Sequence, residues 1–273
     1  MKYENVLFEV RDCVGILTLN RPNLLNGLSI PLMTDVLDVL KRVAADPKVH
    51  VLVITGAGRG FCAGADLGAA GEHAATEEEL GYTPSLGEII SDSMKSHFNP
   101  LVREIAELEK PVIAAVNGVA AGGGVGLALA ADIVIASRSA SFVVVFGPQL
   151  GIVPDMGCTW YLPRLVGRAR ALGLALLGER LPAEKAVEWG LIWDCVDDEN
   201  LMEHVMRIAR RLAQGPTKAY GYIKRAFMQS GFNSLEQQLG FERASQRILC
   251  DTDDFKEGIT AFLEKREPSF KGY

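Results

Sequence analysis

The chain has 273 residues, of which 48% are hydrophobic and 23% charged, and its formal net charge is -6. This composition is typical of a soluble globular protein with a sizeable core. Because Lys and Arg are scattered through a net acidic chain, we expect neither a nucleic-acid partner nor an anionic membrane surface. The sequence opens without a signal-like apolar run, and its five cysteines lack C-x-x-C spacing, so we expect a cytoplasmic protein with reduced thiols.

The first half of the sequence predicts strands that alternate with helices. Apolar runs at residues 6–10 and 14–19 predict a β-hairpin. Ser29 favours the N-cap position of the helix that follows, where apolar residues repeat at helical spacing. Residues 51–54 predict a buried strand, and residues 101–108 indicate a further helix.

Residues 111–131 carry no charge, and this length must be tested as a membrane-spanning helix because about 20 apolar residues span a bilayer. The initial proline, Asn117 and five glycines disfavour such a helix. Instead, VIAAV predicts a strand, NGVAAGG a turn and GVGLALAA a helix, and IVIA begins another strand after Asp132. This order of elements is the unit of a parallel α/β core.

Helical patterns dominate the sequence after about residue 157. Apolar residues repeat at helical spacing between 201 and 212, Ser234 predicts an N-cap, and a last helix is predicted over 253–266. We therefore expect an α/β core over residues 1–200. Residues 201–273 are expected to form a C-terminal helical region suited to packing on a neighbouring subunit.

Glycines are concentrated in two windows, and 11 of the 28 lie in residues 56–71 and 111–126. The turns GAGRGFCAGADL and NGVAAGGGVGLAL each follow a predicted strand, so adjacent parallel strands would place both at one end of the sheet. Two main-chain N–H groups that converge there would form an oxyanion hole. The glycines could equally serve only the close packing of strand against helix, and the residues alone leave both interpretations open.

Other kinds of site are less well supported. Residues 58–63, GRGFCA, match a G-x-G-x-x-A dinucleotide pattern, but three more glycines follow where that pattern requires a helix. The sequence has no G-x-S-x-G, H-E-x-x-H, P-loop or EF-hand motif. Its four histidines share no ligand spacing, so we expect no metal site.

Five segments spread over nearly the whole chain form a recognisable set: LTLNRPNLLNGLS, VLVITGAGRGFCAGADL, KPVIAAVNGVAAGGGVGLALAADIVIA, LGIVPDMGCTWYLPRLVGRARAL and GITAFLEKREPSFKG. With FCAGAD and NGVAAGGG in this order and at this distance, the sequence resembles the crotonase, or enoyl-CoA hydratase/isomerase, superfamily. The resemblance implies an α/β core of repeated ββα units with a helical C-terminal region. It also implies an acyl-CoA substrate and assembly into a homo-oligomer, a trimer or a dimer of trimers.

The same resemblance implies roles for individual residues. The N–H groups of Ala65 and Gly123 would hold the thioester oxygen of an acyl-CoA and stabilise its enolate. Coenzyme A is then part of the substrate, and no separate cofactor is expected. The residues expected to line the CoA or acyl site, or to reach CoA from the last helix, are Leu24, Leu25, Gly27, Ala63, Asp66, Leu67, Gly122, Gly126, Phe262 and Lys265.

The sequence departs from a hydratase of this superfamily at both catalytic glutamates. Gly126 stands at the first position, and the second position falls at about Gly147 or Pro148. Over residues 110–154 the only acidic residue is Asp132, which begins a strand and is expected to form a structural hydrogen bond. Because a two-glutamate water site cannot be assembled from this stretch, the sequence favours an isomerase over a hydratase.

Asp155 is the candidate acid/base. It follows a proline and precedes an apparent helix, which is also the place of an ordinary N-cap, and the residues alone favour that structural role. The segment IVPDMGCTWYLPRLVGRARALGLALLG is especially similar to the epoxyphenylacetyl-CoA isomerase branch of the superfamily, which implies a catalytic aspartate here. A free Asp has a pKa of about 3.9, so burial against Val153 and Met156 would have to raise it for effective base catalysis.

The expected activity is therefore that of an acyl-CoA isomerase, which moves a proton through an enolate. It would shift a double bond or rearrange a ring epoxide of an aromatic acyl-CoA. An enoyl-CoA hydratase and a non-catalytic acyl-CoA-binding protein remain the alternatives.

Overall fold

The computed structural model describes residues 3–66, 68 and 82–272. The strands of the described residues are β1 (Val6–Arg11), β2 (Val14–Leu19), β3 (Val51–Gly56), β4 (Gly60–Cys62), β5 (Val112–Val116), β6 (Val119–Ala121), β7 (Ile133–Ser137), β8 (Ser141–Val143), β9 (Arg180–Pro182) and β10 (Asp194–Val196). The α-helices are α1 (Ile30–Ala45), α2 (Leu86–Ser93), α3 (Asn99–Glu107), α4 (Gly123–Leu129), α5 (Cys158–Leu177), α6 (Ala183–Glu188), α7 (Leu201–Ala213), α8 (Thr217–Ser230), α9 (Leu235–Leu249) and α10 (Asp253–Glu264). Met94–Phe98 and Phe146–Leu150 form π-helical turns, and Pro22–Leu24 and Asp198–Asn200 form 3-10 turns.

The strands form two sheets. The larger sheet has the order β1-β2-β3-β5-β7-β10, and the smaller has the order β4-β6-β8-β9. The successive pairs β3 with β4, β5 with β6 and β7 with β8 each contribute one strand to each sheet, and a helix follows each pair in the chain. This repetition confirms the expected α/β core of ββα units.

Local sequence patterns predicted a hairpin and two helix starts correctly. Strands β1 and β2 form the predicted antiparallel hairpin, with Val6 opposite Leu19. Ser29 caps α1, because its side chain accepts a hydrogen bond from the Leu32 N–H at 3.4 Å. Ser234 likewise caps α9, where it forms a capping box with Gln237.

The larger sheet is buried on both faces. Alternate residues of a strand point to opposite faces, so Val53 packs in one cluster with Val205 and Ala209 of α7, while Ile54 packs on the other face in the cluster that contains α1 and α3. Helix α7 therefore covers one face of the core, although it lies beyond residue 200. The division of the chain at that residue stays a prediction.

Some short elements differ from the sequence prediction. The segment predicted as a turn contains β6, and the strands β9 and β10 were not predicted. Each has three residues, too few to show a pattern, and forms by pairing with a strand distant in the sequence. Asp194 of β10, for example, pairs with Ile135 of β7. In the part of the chain that the structure describes, no helix is long and apolar enough to cross a membrane.

Candidate active site

The two glycine-rich turns lie at the same end of the larger sheet. Strands β3 and β5 are adjacent and parallel, with Thr55 opposite Ala115, so the turns that follow them are neighbours. Asn117 joins the turns directly, because its side chain donates to Gly58 O at 3.0 Å and accepts from the Gly56 N–H at 3.1 Å. The predicted convergence of the two turns is confirmed.

Several glycines in these turns are required by close backbone packing. A Cβ atom on Gly118 would lie 2.2 Å from Arg59 O, and one on Gly124 would lie 2.1 Å from Cys62 O. Neither position can accept a side chain. Close packing therefore explains these two glycines, which is one of the two roles that the sequence left open. The same packing brings the backbones of the two turns into contact.

The Ala65 N–H points away from the neighbouring segment that contains Leu28. Leu28 forms a parallel bridge with Ala65 through the flanking groups, since the Leu28 N–H donates to Gly64 O at 2.8 Å and the Asp66 N–H donates to Leu28 O at 3.0 Å. Successive amides of an extended chain point to opposite sides. The intervening Ala65 N–H is therefore directed to the side opposite Leu28.

The Gly123 N–H is a second available donor beside the first. Gly123 begins α4, and amides in the first turn of a helix have no acceptor within that helix. A Cβ atom on Gly64 would lie 3.1 Å from Gly123 N, so the segment that carries Ala65 abuts the start of α4. Gly64 also has a φ of +91°, which glycine adopts without strain.

Ala65, Gly123 and Asp155 line one cavity of about 390 Å³. Both π-helical turns contribute to its walls, which agrees with the frequent occurrence of π-turns at functional sites. The walls are largely apolar. Their larger apolar side chains come from Leu28, Ile30, Met33, Ile89, Ile90, Met94, Phe98, Val145, Phe146, Leu150 and Ile152.

Asp155 is not the N-cap of α5. That position is Gly157, and α5 has no side-chain cap hydrogen bond. Burial raises the pKa of the Asp155 carboxyl to about 6. Val153 is not the burying neighbour that the sequence suggested, because it is 75% exposed, whereas Met156 is fully buried.

Gly126 lies where a side chain cannot be placed. A Cβ atom there would be 2.2 Å from Met156 O and 2.5 Å from Met156 Cβ. The position for which the resemblance implies a glutamate in a hydratase is therefore filled by the main chain of the residue that follows Asp155. Gly147 does not line the cavity, and the residues of its turn that do are Phe146, Gln149 and Leu150, none of them acidic.

The carboxylates among the described residues that line the cavity are Asp66 and Asp155. Asp66 is paired with Arg21 at 2.8 Å, and the same guanidinium donates to Gly27 O at 2.7 Å. Asp155 has no ion-pair partner among the described residues. The sequence interpretation missed Arg21, whose only signal was its place in the segment LTLNRPNLLNGLS.

The other predicted site residues fall into four groups. Ala63, Asp66 and Gly122 line the cavity, whereas Gly126 lies behind Met156. Leu67 lies outside the described residues. The remaining five lie outside the cavity wall, so their contact with CoA stays a prediction: Leu24, Leu25, Gly27, Phe262 and Lys265.

Asp132 has the structural role that the sequence suggested. Its carboxylate accepts a hydrogen bond from the Val112 N–H at 2.7 Å and pairs with Lys224 at 2.8 Å. These contacts tie β5 and α8 to the start of β7. Asp132 is not among the residues that line the cavity.

The sequence profile of the enoyl-CoA hydratase/isomerase family matches residues 9–273. The chain belongs to this family. The match confirms the resemblance carried by the FCAGAD and NGVAAGGG motifs, and it makes this crotonase-family protein an enzyme of acyl-CoA hydration or isomerisation.

Individual members of the family are similar to this chain over their whole length. The 1,2-epoxyphenylacetyl-CoA isomerase of Escherichia coli is 49% identical over 98% of this chain and 99% of its own. The probable enoyl-CoA hydratase of Rhodobacter capsulatus is 39% identical over 100% of both chains. A crystal structure of an enoyl-CoA hydratase subunit from Geobacillus kaustophilus has a TM-score of 0.87 at 35% identity and covers 100% of both chains.

Proposed function

We propose that this crotonase-family protein is an acyl-CoA isomerase in which Asp155 is the single acid/base. The observation that carries the proposal is the packing of Met156 on Gly126, which fills the place of the first hydratase glutamate. Two carboxylates line the cavity among the described residues, and Asp155 is the one without an ion-pair partner. One such group suffices to move a proton, whereas the two-glutamate water site of a hydratase needs a second.

In the proposed reaction, the N–H groups of Ala65 and Gly123 donate to the thioester oxygen of the substrate. The Asp155 carboxylate removes a proton from the acyl chain, and the resulting negative charge is delocalised onto that oxygen as an enolate. The protonated Asp155 then returns the proton to a different carbon, so the double bond moves and the carboxylate is regenerated. A pKa of about 6 leaves Asp155 ionised at neutral pH and makes it a stronger base than a free aspartate.

The apolar walls of the cavity are suited to an apolar acyl group, and they include the aromatic rings of Phe98 and Phe146. The 1,2-epoxyphenylacetyl-CoA isomerase among the relatives makes an aromatic acyl-CoA with a ring epoxide one candidate substrate. An unsaturated aliphatic acyl-CoA is the other. Assays of both classes with the wild type and Asp155→Asn test the proposal, which fails if Asp155→Asn retains full isomerase activity while still binding CoA esters.

Two alternatives make different predictions. An enoyl-CoA hydratase, the activity assigned to several relatives, would add water rapidly to crotonyl-CoA. A non-catalytic acyl-CoA-binding protein would show binding by isothermal titration without turnover across the substrate panel. In each case coenzyme A is carried by the substrate, and the proposal needs no separate cofactor or metal.

We also propose a trimer or a dimer of trimers, in the cytoplasm. Exposed apolar residues on and between the C-terminal helices are suited to a subunit interface: Phe227, Phe232, Leu235, Phe262 and Leu263. Sedimentation velocity tests the assembly, and a monomer at micromolar concentration contradicts it.

A further inference from the structure

The chain reaches Asp155 through a tight turn of unusual backbone conformation. The Cys158 N–H donates to Asp155 O at 2.9 Å, and the two residues between them have positive φ angles, +51° at Met156 and +78° at Gly157. Two such residues in sequence are the signature of a type I′ turn, in which glycine, asparagine and aspartate predominate. A methionine is rarely found there, because its Cβ is strained at positive φ.

The turn is held in this conformation by packing on one face of α4. Gly123 and Gly126 are three residues apart, so they lie on the same side of the helix. A Cβ atom on Gly123 would lie 3.2 Å from Met156 Cγ, and the main chain of Met156 occupies the corresponding space at Gly126. The absence of both side chains lets the buried Met156 fit against the helix.

The residue that ends the turn is also buried. Burial, together with the nearby Asp155 charge, raises the pKa of the Cys158 thiol to about 12. Met156 and Cys158 both lie in the core cluster that includes Val125 and Leu127 of α4, so the turn is held against the core through both residues. Because α4 also begins with the Gly123 N–H, one helix carries an oxyanion donor and the support for the carboxylate.

We propose that Gly126 and Met156 are positioning residues, which hold the Asp155 carboxylate at its working distance from the substrate atoms bound at the Gly123 N–H. This inference rests on the proposed isomerase function. It adds that the absence of a glutamate at residue 126 and the position of Asp155 depend on each other. Any side chain at residue 126 would displace the turn that carries Asp155.

The test compares Gly126→Ala with Gly173→Ala, a matched control. A Cβ atom on Gly173 would meet nothing within 4 Å, and Gly173 does not line the cavity. Displacing a catalytic group by about 1 Å costs roughly 100-fold in rate. The probe is whichever of 3-hexenoyl-CoA and 1,2-epoxyphenylacetyl-CoA the wild type isomerises. We expect the kcat of Gly126→Ala to fall about 100-fold while KM changes less than about threefold, with both constants unchanged in Gly173→Ala.

The pH profile separates positioning from a merely structural role. A displaced, better solvated Asp155 would have a lower pKa, so the midpoint of the acid limb of kcat/KM should move from about 6 towards that of a free aspartate. Wild-type kcat in Gly126→Ala, or a reduced kcat with an unchanged midpoint, overturns the inference. If Gly126→Ala does not fold, Met156→Ala, which removes the contact with Gly123, decides by the same two readouts.

The proposed function and this inference fail in different ways. Retention of isomerase activity in Asp155→Asn refutes the proposed function itself. An inactive Asp155→Asn together with a Gly126→Ala enzyme of wild-type kcat and pH midpoint refutes only the positioning role.

Discussion

Arg21 and Asp66 form an ion pair of 2.8 Å, with side chains only 19% and 16% exposed, next to the candidate oxyanion donor Ala65. Removing one member of a buried pair leaves the other charge unpaired, which typically costs about 3 kcal/mol or more. We therefore expect Arg21→Gln to lower the free energy of unfolding by about 3 kcal/mol and to reduce kcat, because the segment that holds the Ala65 N–H is loosened.

Arg11→Gln is the matched control for this pair. Arg11 and Glu9 are also 2.8 Å apart, but their side chains are 65% and 49% exposed, and exposed pairs contribute only about 1 kcal/mol or less. Urea denaturation measures both variants. Equal, small losses of stability in Arg21→Gln and Arg11→Gln would show that the ion pair of Arg21 does not stabilise the segment that holds Ala65.

Activity should depend on pH through Asp155. The base must be ionised, and burial raises the pKa of Asp155 to about 6, so kcat/KM for isomerisation should increase about tenfold per pH unit below pH 6 and level off above it. The profile is measured from pH 4.5 to 8 with a substrate whose own ionisation lies outside this range. A midpoint near that of a free aspartate would be inconsistent with a buried base.

The variant Asp155→Asn should be more stable than the wild type at neutral pH. A carboxyl whose pKa is raised by folding weakens the fold once it ionises, so the penalty is absent well below pH 4, grows between about pH 4 and 6 and is complete above pH 6. Asparagine removes this penalty. We expect a gain of about 1–3 kcal/mol at pH 8 that disappears near pH 3.5.

Urea denaturation at those two pH values distinguishes a buried base from a helix cap. If Asp155 served as an N-cap, the substitution would bring no gain at pH 8, because it would remove a stabilising carboxylate at the helix terminus. A loss of stability at pH 8 would therefore count against the buried-base role.

Asp132→Asn should have the opposite effects. Burial raises the pKa of Asp132 as it does that of Asp155, but Asp132 has a buried counter-charge that Asp155 lacks. Its partner Lys224 has a side chain only 11% exposed and would be left unpaired, so we expect a net loss of about 3 kcal/mol in stability. The kcat of the folded variant should remain within about twofold of the wild type, because Asp132 lies outside the described cavity wall. Thermal denaturation and steady-state kinetics on the same preparation measure both, and a selective loss of kcat would assign Asp132 to the chemistry.

The sequence predicted the elements whose signals are local. The hairpin, the Ser29 cap and the strands before the two glycine-rich turns each rest on a pattern within one segment, and adjacent parallel strands then suffice to bring Ala65 and Gly123 together. Residues 180–182 and 194–196 carry no such pattern. Their strands depend on partners in β8 and β7.

The detailed surroundings of Asp155 could not be predicted because they depend on contacts between distant segments. Nothing local distinguishes an exposed Val153 from a buried Met156, and the support of Met156 is a helix that begins 33 residues earlier in the sequence. The positive φ of Met156 also has no sequence signal, since methionine rarely adopts it. The sequence shows that residue 126 is a glycine and not a glutamate, but it does not show that the main chain of Met156 fills the space beside it.

The central claim, that one carboxylate serves an isomerase and not a hydratase, is tested most directly by two rates measured on one preparation. These are the conversion of 3-hexenoyl-CoA to the conjugated 2-enoyl ester and the hydration of crotonyl-CoA, with 1,2-epoxyphenylacetyl-CoA as a second isomerisation substrate. We predict that kcat/KM for isomerisation of at least one substrate exceeds that for hydration by about 100-fold or more, and that Asp155→Asn abolishes it. Hydration as fast as isomerisation, or isomerisation that survives in Asp155→Asn, would contradict the account.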